Sequence, residues 1–356
     1  MAPEGARMAP IDRRLRVWAW MVRRQTAALT RSEADVIALQ SRHAPANAVT
    51  NYIFGTVAPG TEVSDRVIAG PGGDLPVRLY QPRGAGTAPR PLIVYLHGGG
   101  FVFGDLPLSD WLCSHVATGA GAVVVSAGYR LAPTHRFPAA VDDSYAALLW
   151  AAENAVSLGA GGPVGVMGES AGGTLSAVMC LLARDRGGPA ISHQALLYPA
   201  ADLTRSHPVS LTSPFLSGPE MLAYRRYYIG DGDAGDFRAS PLLAGDHSGL
   251  PPALIQVGEH DPLRGDGVAY ADALRAAGVP VRLTEYVGMP HGYLNFPGLC
   301  RLAPQALAEI CAEQKAALAQ APAPASAVQA PPVLAAEGGP EPGVSPGAAP
   351  ADRAPT

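Results

Sequence analysis

The amino-acid sequence predicts an α/β protein, and three observations carry that expectation. Short uninterrupted apolar runs alternate with helix-patterned stretches. A Gly-x-Ser-x-Gly run lies between one such run and the helical stretch after it, and three consecutive glycines follow an earlier run. Apolar runs of this length, flanked by helices, read as strands of a parallel sheet covered on both faces.

The elements follow in chain order. Residues 13–28 are rich in Arg and Trp, and residues 33–40 follow a cap at Thr30 or Ser32, so both stretches read as helices. Residues 63–69 and 76–80 form the first strand pair, turned by Pro71-Gly72-Gly73-Asp74. The later strands are expected at 92–96, 122–127, 164–167, 195–198, 253–257 and 281–286. Helices are expected at 111–118, 139–152, 171–184 and 267–277. Residues 202–247 break the alternation and read as an inserted irregular and helical segment. The last 36 residues, 321–356, hold 24 Ala, Pro or Gly and no aromatic. Such a stretch cannot bury enough apolar surface to offset its ordering entropy, so a disordered tail is expected.

Composition narrows the function. A formal charge of −4 argues against a strongly basic nucleic-acid binder. No apolar run approaches the roughly 18 residues of a transmembrane helix. Residues 17–22 are apolar but short and hemmed by Arg13, Arg14, Arg16, Arg23 and Arg24, unlike a secretory leader, so a cytoplasmic protein is expected. Cys113, Cys180, Cys300 and Cys311 stand far apart with no Cys-x-x-Cys spacing, which predicts reduced thiols and no metal site.

Gly168-Glu169-Ser170-Ala171-Gly172 is a weak motif by itself, and Gly343-Val344-Ser345-Pro346-Gly347 in the tail matches the same pattern. Context separates them. A nucleophile needs a strand entering and a helix leaving, so that a sharp turn lifts the hydroxyl above the sheet. Ser170 has both, and Ser345 has neither. Acyl transfer also needs backbone N–H donors waiting for the oxyanion. His97-Gly98-Gly99-Gly100-Phe101, directly after a strand, lets backbone approach a substrate without side chains in the way. The Ala171 N–H, at a helix start, completes that set.

Folds of this kind order their triad Ser, acid, His along the chain. Of His193, His207, His247, His260 and His291, only His291 follows the last strand and a Gly-Met-Pro loop, where it can reach back over the sheet. The acid follows the preceding strand, with Glu259, Asp261 and Asp266 as candidates. Asp261 opens a turn with Pro262 and is favoured; Asp266 reads instead as the N-cap of the next helix.

Taken together these residues resemble the bacterial hormone-sensitive-lipase-like esterases. The resemblance rests on His97-Gly98-Gly99-Gly100, Gly128-Tyr129-Arg130-Leu131-Ala132-Pro133, Gly168-Glu169-Ser170-Ala171-Gly172-Gly173, Asp261-Pro262-Leu263-Arg264 and His291-Gly292-Tyr293, in order across residues 60–315. It implies an α/β-hydrolase fold with an eight-stranded, mostly parallel sheet flanked by helices. A helical cap would come from residues 1–50 and an insertion at 202–238, on a catalytic domain spanning 51–319, with 320–356 as the tail. It implies a cofactor-free, metal-free carboxylesterase for small-molecule esters of short or medium acyl chain. Ser170, Asp261 and His291 would be the triad, and Gly99, Gly100 and Ala171 the oxyanion donors, with His97 and Gly98 in their loop. A homodimer is compatible with such a fold. Amides, lactones or acetylated natural products are alternative substrates for the same machinery, and a non-catalytic small-molecule receptor is the remote alternative. Glu169 departs from the family, which usually carries Asp or Thr there. Trp18, Trp20, Met21, Phe215, Met221, Tyr224, Tyr227 and Tyr228 are the candidate apolar lining of the cap.

Overall fold

The computed structural model describes residues 8–26, 32–42, 47–84, 89–208 and 210–320. Thr30, the tail and its Ser345 motif lie outside the described residues. Eight strands form one sheet: β1 (Thr61–Gly70), β2 (Gly73–Pro82), β3 (Arg90–Leu96), β4 (Val123–Ala127), β5 (Ala160–Glu169), β6 (Ile191–Leu197), β7 (Ala253–Gly258) and β8 (Val281–Tyr286). Their spatial order is β1-β2-β4-β3-β5-β6-β7-β8. β2 pairs antiparallel with both β1 and β4, and every pairing from β4 to β8 is parallel.

The helices are α1 (Arg13–Thr26), α2 (Glu33–Gln40), α3 (Ala48–Phe54), α4 (Asp110–Ala120), α5 (Ala139–Glu153), α6 (Ala171–Arg186), α7 (Gly218–Ile229), α8 (Arg264–Ala276) and α9 (Ala303–Gln320). Alternation along the central strands serves both faces. Leu92, Val94 and Leu96 of β3 belong to the core cluster on the side of α5, α6 and α8, whereas Ile93 and Tyr95 belong to the cluster on the side of α4 and α9. Apolar residues on both faces make these strands read as continuous runs. α1 to α3 and α7, the latter inserted between β6 and β7, are the extra helices that form the cap.

Some elements depart from the sequence reading. α9 has no counterpart in it, because the helix's buried positions include Ala303 and Ala306 alongside Ile310 and Leu318, and such alanines blend into the Ala-rich stretch that comes next. α3 is short, and its start is fixed by Asn47, whose side chain accepts from the N–H groups of Val49 and Thr50. β5 begins earlier than residue 164, since Gly161-Gly162-Pro163 sits within it beside a register shift against β6. α8 begins at Arg264, which puts Asp266 in its first turn and not at its N-cap.

Candidate active site

β5 delivers Glu169 at its last position, and α6 begins at Ala171, so Ser170 occupies the turn between them. Its φ of 51° and ψ of −120° lie where a side-chain-bearing residue is strained. The turn is held by a hydrogen bond from the Ser170 N–H to the Leu197 carbonyl at 2.8 Å. Gly172 is needed for the same geometry: a Cβ there would collide with the carbonyl oxygens of Leu96 and His97, the end of the neighbouring strand.

Three side chains from three strand ends meet here. His291, from the loop after β8, has Nε2 2.9 Å from Ser170 Oγ. Its Nδ1 lies 2.8 Å from Asp261 Oδ2. An ionised carboxylate only accepts, so Nδ1–H donates to Asp261 and Nε2 is left to accept the Ser170 hydroxyl proton. Asp261, at the turn after β7, is buried and also accepts the Leu263 N–H at 2.8 Å. The Tyr198 ring meets the imidazole edge-on at 5.1 Å.

The glycine run after β3 borders the same space. Gly99 has φ of 118°, which glycine adopts without penalty, and its carbonyl accepts the N–H groups of Val102 and Phe103 at 3.1 and 2.8 Å. Among the described residues no backbone carbonyl takes the N–H of Gly99, Gly100 or Ala171. His97 is buried, stacked on Tyr129 at 4.2 Å, with Nδ1 2.8 Å from the Gly98 carbonyl; burial pushes its imidazole pKa down. The Tyr129 hydroxyl donates to the His97 carbonyl at 2.7 Å. Next to Tyr129, Arg130 is clamped by the buried Asp143 through two guanidinium contacts at 2.8 Å. From the cap, Gln40 of α2 donates to the Val102 and Ala132 carbonyls at 2.7 Å each, tying the cap to the loop.

The other candidates lie elsewhere. Glu259 accepts the N–H groups of Gly288 and Ala9, holding the N-terminal segment against the His291 loop. Asp266 pairs with Arg205 at 3.0 Å, and burial raises its pKa to about 6 against the pull of Arg205. His193 is buried in β6, where burial pushes its pKa down to about 4. His247 donates to the Pro241 carbonyl, and His260 to the Ala9 carbonyl. All four cysteines are free, and among the described residues no group of three His, Cys, Asp or Glu side chains could hold a metal ion.

A cavity of about 1040 Å³ opens over Ser170, Ala171, His291 and Gly98 to Gly100. Trp18, Phe215, Met221, Tyr224 and Tyr228 line it, whereas Trp20 and Met21 are exposed and Tyr227 packs outside it. Sequence reading missed Phe54 and Phe296, which meet Trp18 at centroid distances of 6.2 Å and each other at 5.9 Å. It also missed a polar end formed by Asp202, Arg205, His207 and Asp266. The signal available was the run of charged and polar residues Asp202, Arg205 and His207 at the start of the insertion.

Glu169 has surroundings no local pattern announces. Its buried carboxylate accepts the Tyr198 hydroxyl at 2.6 Å and the Tyr95 hydroxyl at 3.0 Å. With its amide nitrogen turned inward, Asn295 donates to the same two oxygens at 2.8 and 3.0 Å. Burial pushes the carboxyl pKa up, while the two tyrosine hydrogen bonds and the nearby His291 pull it down without cancelling the rise. An acid whose folded pKa is raised contributes stability that is full below its unfolded pKa and is lost as pH rises through the folded one. Glu169→Gln carries no such slope. Its melting temperature relative to wild type should therefore climb by a few degrees between about pH 5 and about pH 8. Thermal melts of both proteins at the two pH values check this, and an unchanged difference would contradict it.

Comparison with known proteins gives a consistent set of relatives. Residues 93–295 match a family model described as the alpha/beta hydrolase fold. Esterase LipI of Mycobacterium tuberculosis is 42% identical over 257 residues, which cover 70% of this chain and 80% of that protein. Carboxylesterase NlhH of the same species is 44% identical over 270 residues, covering 73% and 84%. Among solved structures, a hyperthermophilic esterase from the archaeon Pyrobaculum calidifontis superposes with a TM-score of 0.72 at 36% identity, covering 86% of this chain and 99% of that one.

Proposed function

This chain belongs to the α/β-hydrolase fold family, and from that premise we propose that Ser170, His291 and Asp261 hydrolyse carboxylic esters of short to medium acyl chain. The observation that carries the reading is the hydrogen-bonded chain Ser170–His291–Asp261, which opens into a largely apolar cavity bordered by three N–H groups that no backbone carbonyl among the described residues takes.

The reaction follows from that geometry. His291 Nε2 takes the Ser170 proton as Oγ attacks the ester carbonyl. Negative charge develops on the carbonyl oxygen, where the N–H groups of Gly99, Gly100 and Ala171 meet it; one such donor is worth about 3 kcal/mol in this kind of site. The imidazolium, held by Asp261, returns its proton to the departing alcohol and leaves an acyl-Ser170. Water then repeats the cycle with His291 again as base. The reaction as written needs no cofactor.

The finer placement, among the bacterial hormone-sensitive-lipase-like esterases, is supported by His97 to Gly100, the Tyr129–Arg130 turn clamped by Asp143, and the Asp261-Pro262 and His291-Gly292 pairs. We place the cap at residues 1–50 and 202–238, the catalytic domain at 51–319 and a tail at 320–356. No helix among the described residues is long and apolar enough to cross a membrane. A cytoplasmic setting is supported by the free thiols of Cys113, Cys180, Cys300 and Cys311.

Hydrolysis of p-nitrophenyl esters from acetyl to palmitoyl tests the substrate class. The rate should peak at a short or medium chain, since the cavity is walled by the aromatics Trp18, Phe54 and Phe215. A maximum at palmitoyl would reject the chain-length reading, and no turnover on any ester would reject the esterase reading.

A further inference from the structure

α1 presents two faces of unexpected character. Leu15 and Ala19 are buried, and Trp18 and Val22 line the substrate cavity, so one side of the helix is committed to the interior. The opposite side should then be polar. Instead Val17, Trp20 and Met21, at 49%, 68% and 46% exposure, form an outward apolar patch. Arginines flank it: Arg13, Arg14 and Arg16 at one end, Arg23 and Arg24 at the other, with no acidic residue in the helix. Arg13, Arg14 and Arg16 are exposed, and among the described residues none has an acidic partner. Arginines in a first turn oppose the helix dipole, so helix stability does not account for them.

We propose that the outward face of α1 is a docking surface for an anionic phospholipid bilayer, seated beside the mouth of the substrate cavity. Charge complementarity selects this occupant. The whole chain carries −4, so attraction to an anionic surface must come from a local basic cluster, and α1 supplies one around an apolar centre. Trp, Val and Met between arginines is the composition of a helix that lies in the interface, with guanidinium groups at the headgroups and apolar side chains below them. At 14 residues α1 reaches about 21 Å, too short to span a hydrocarbon core of about 30 Å, so it lies on the surface. Its inner face leads to Ser170, and the half-exposed Leu108 and Leu222 line the same cavity. An ester dissolved in the bilayer would thus enter along α1. Docking is independent of the hydrolytic reading; only this delivery of substrate rests on it.

The test is sedimentation of the full chain with vesicles of phosphatidylcholine, alone or with about one-third phosphatidylglycerol, at about 0.15 M and about 1 M salt. Wild type should sediment with the anionic vesicles, about tenfold or more weakly with the neutral ones, and less at high salt. A Val17→Ser, Trp20→Ser, Met21→Ser variant should bind anionic vesicles about tenfold or more weakly than wild type. An Arg13→Gln, Arg14→Gln, Arg16→Gln variant should lose the preference for anionic lipid. Both variants should hydrolyse a water-soluble short-chain ester at the wild-type rate. Failure of wild type to sediment with anionic vesicles, or equal sedimentation of all three proteins, would overturn the proposal. So would a wild-type dimer in light scattering that the Val17, Trp20, Met21 variant converts to monomer without any vesicle binding, which assigns the face to a second copy. Vesicle binding by protein that hydrolyses no ester would support docking and count against the hydrolytic reading alone.

Discussion

Ser170→Ala should fold like wild type and lose turnover by roughly 10⁴- to 10⁶-fold. The two halves of this expectation have separate origins. The substitution removes one oxygen whose hydrogen-bond partner is His291, and the Ser170 N–H to Leu197 bond that holds the turn belongs to the backbone and survives. Alanine also adopts the positive φ at this position no less readily than serine, so the melting temperature should hold or rise slightly. Chemistry, by contrast, loses its nucleophile. Residual rate would come from the N–H groups of Gly99, Gly100 and Ala171 and from binding alone. Steady-state kinetics on p-nitrophenyl acetate beside a thermal melt measures both halves. Turnover within about tenfold of wild type would remove Ser170 from the mechanism.

Asp261→Asn should cost about 10⁴-fold in turnover, again with little change in fold. The asparagine keeps an oxygen for the Leu263 N–H, so the turn after β7 stays in place. The change falls on the partner of His291 Nδ1. A carboxylate can only accept, which places the imidazole proton on Nδ1 and leaves Nε2 free for the Ser170 hydroxyl. An amide nitrogen turned toward Nδ1 donates instead, moves the proton to Nε2, and leaves no base facing Ser170. The developing imidazolium also loses its buried counter-charge. The control is Glu259→Gln: that carboxylate grips Gly288 and Ala9 and does not touch the imidazole, so its loss should reduce turnover far less. Comparable losses in the two variants would contradict the assignment of Asp261 as the acid.

The parts of the molecule legible in the sequence share a physical reason. Strands buried on both faces are apolar nearly throughout, so 92–96 is visible as an uninterrupted run and 253–257 as one broken only by Gln256, and chemistry placed at their ends is found in the residues just after each run. Ser170, Asp261 and His291 come after β5, β7 and β8 in that way. Elements whose burial uses small residues are harder to see. α9 buries Ala303 and Ala306, and alanine does not distinguish a packed helix from a solvated tail. The neighbours of Glu169 are harder still, because Tyr95, Tyr198 and Asn295 come from three separate segments and converge only in the folded sheet. Asp266 illustrates a boundary shift with chemical consequences: α8 starts two residues earlier than Asp266, and the carboxylate meets Arg205 in the cavity instead of capping the helix. The outward placement of Trp20 and Met21, read from sequence as cavity lining, follows from helix phase, since Trp18 and Val22 take the inward positions.

The most direct test of the central claim is mass-spectrometric mapping of the adduct formed with a serine-directed fluorophosphonate. An activated nucleophile reacts at phosphorus and expels fluoride, whereas ordinary serine hydroxyls do not. The folded protein should carry one adduct, located at Ser170, suppressed by a short-chain ester and absent from Ser170→Ala. An adduct on a different residue, or none on active protein, would contradict the assignment of Ser170 as nucleophile.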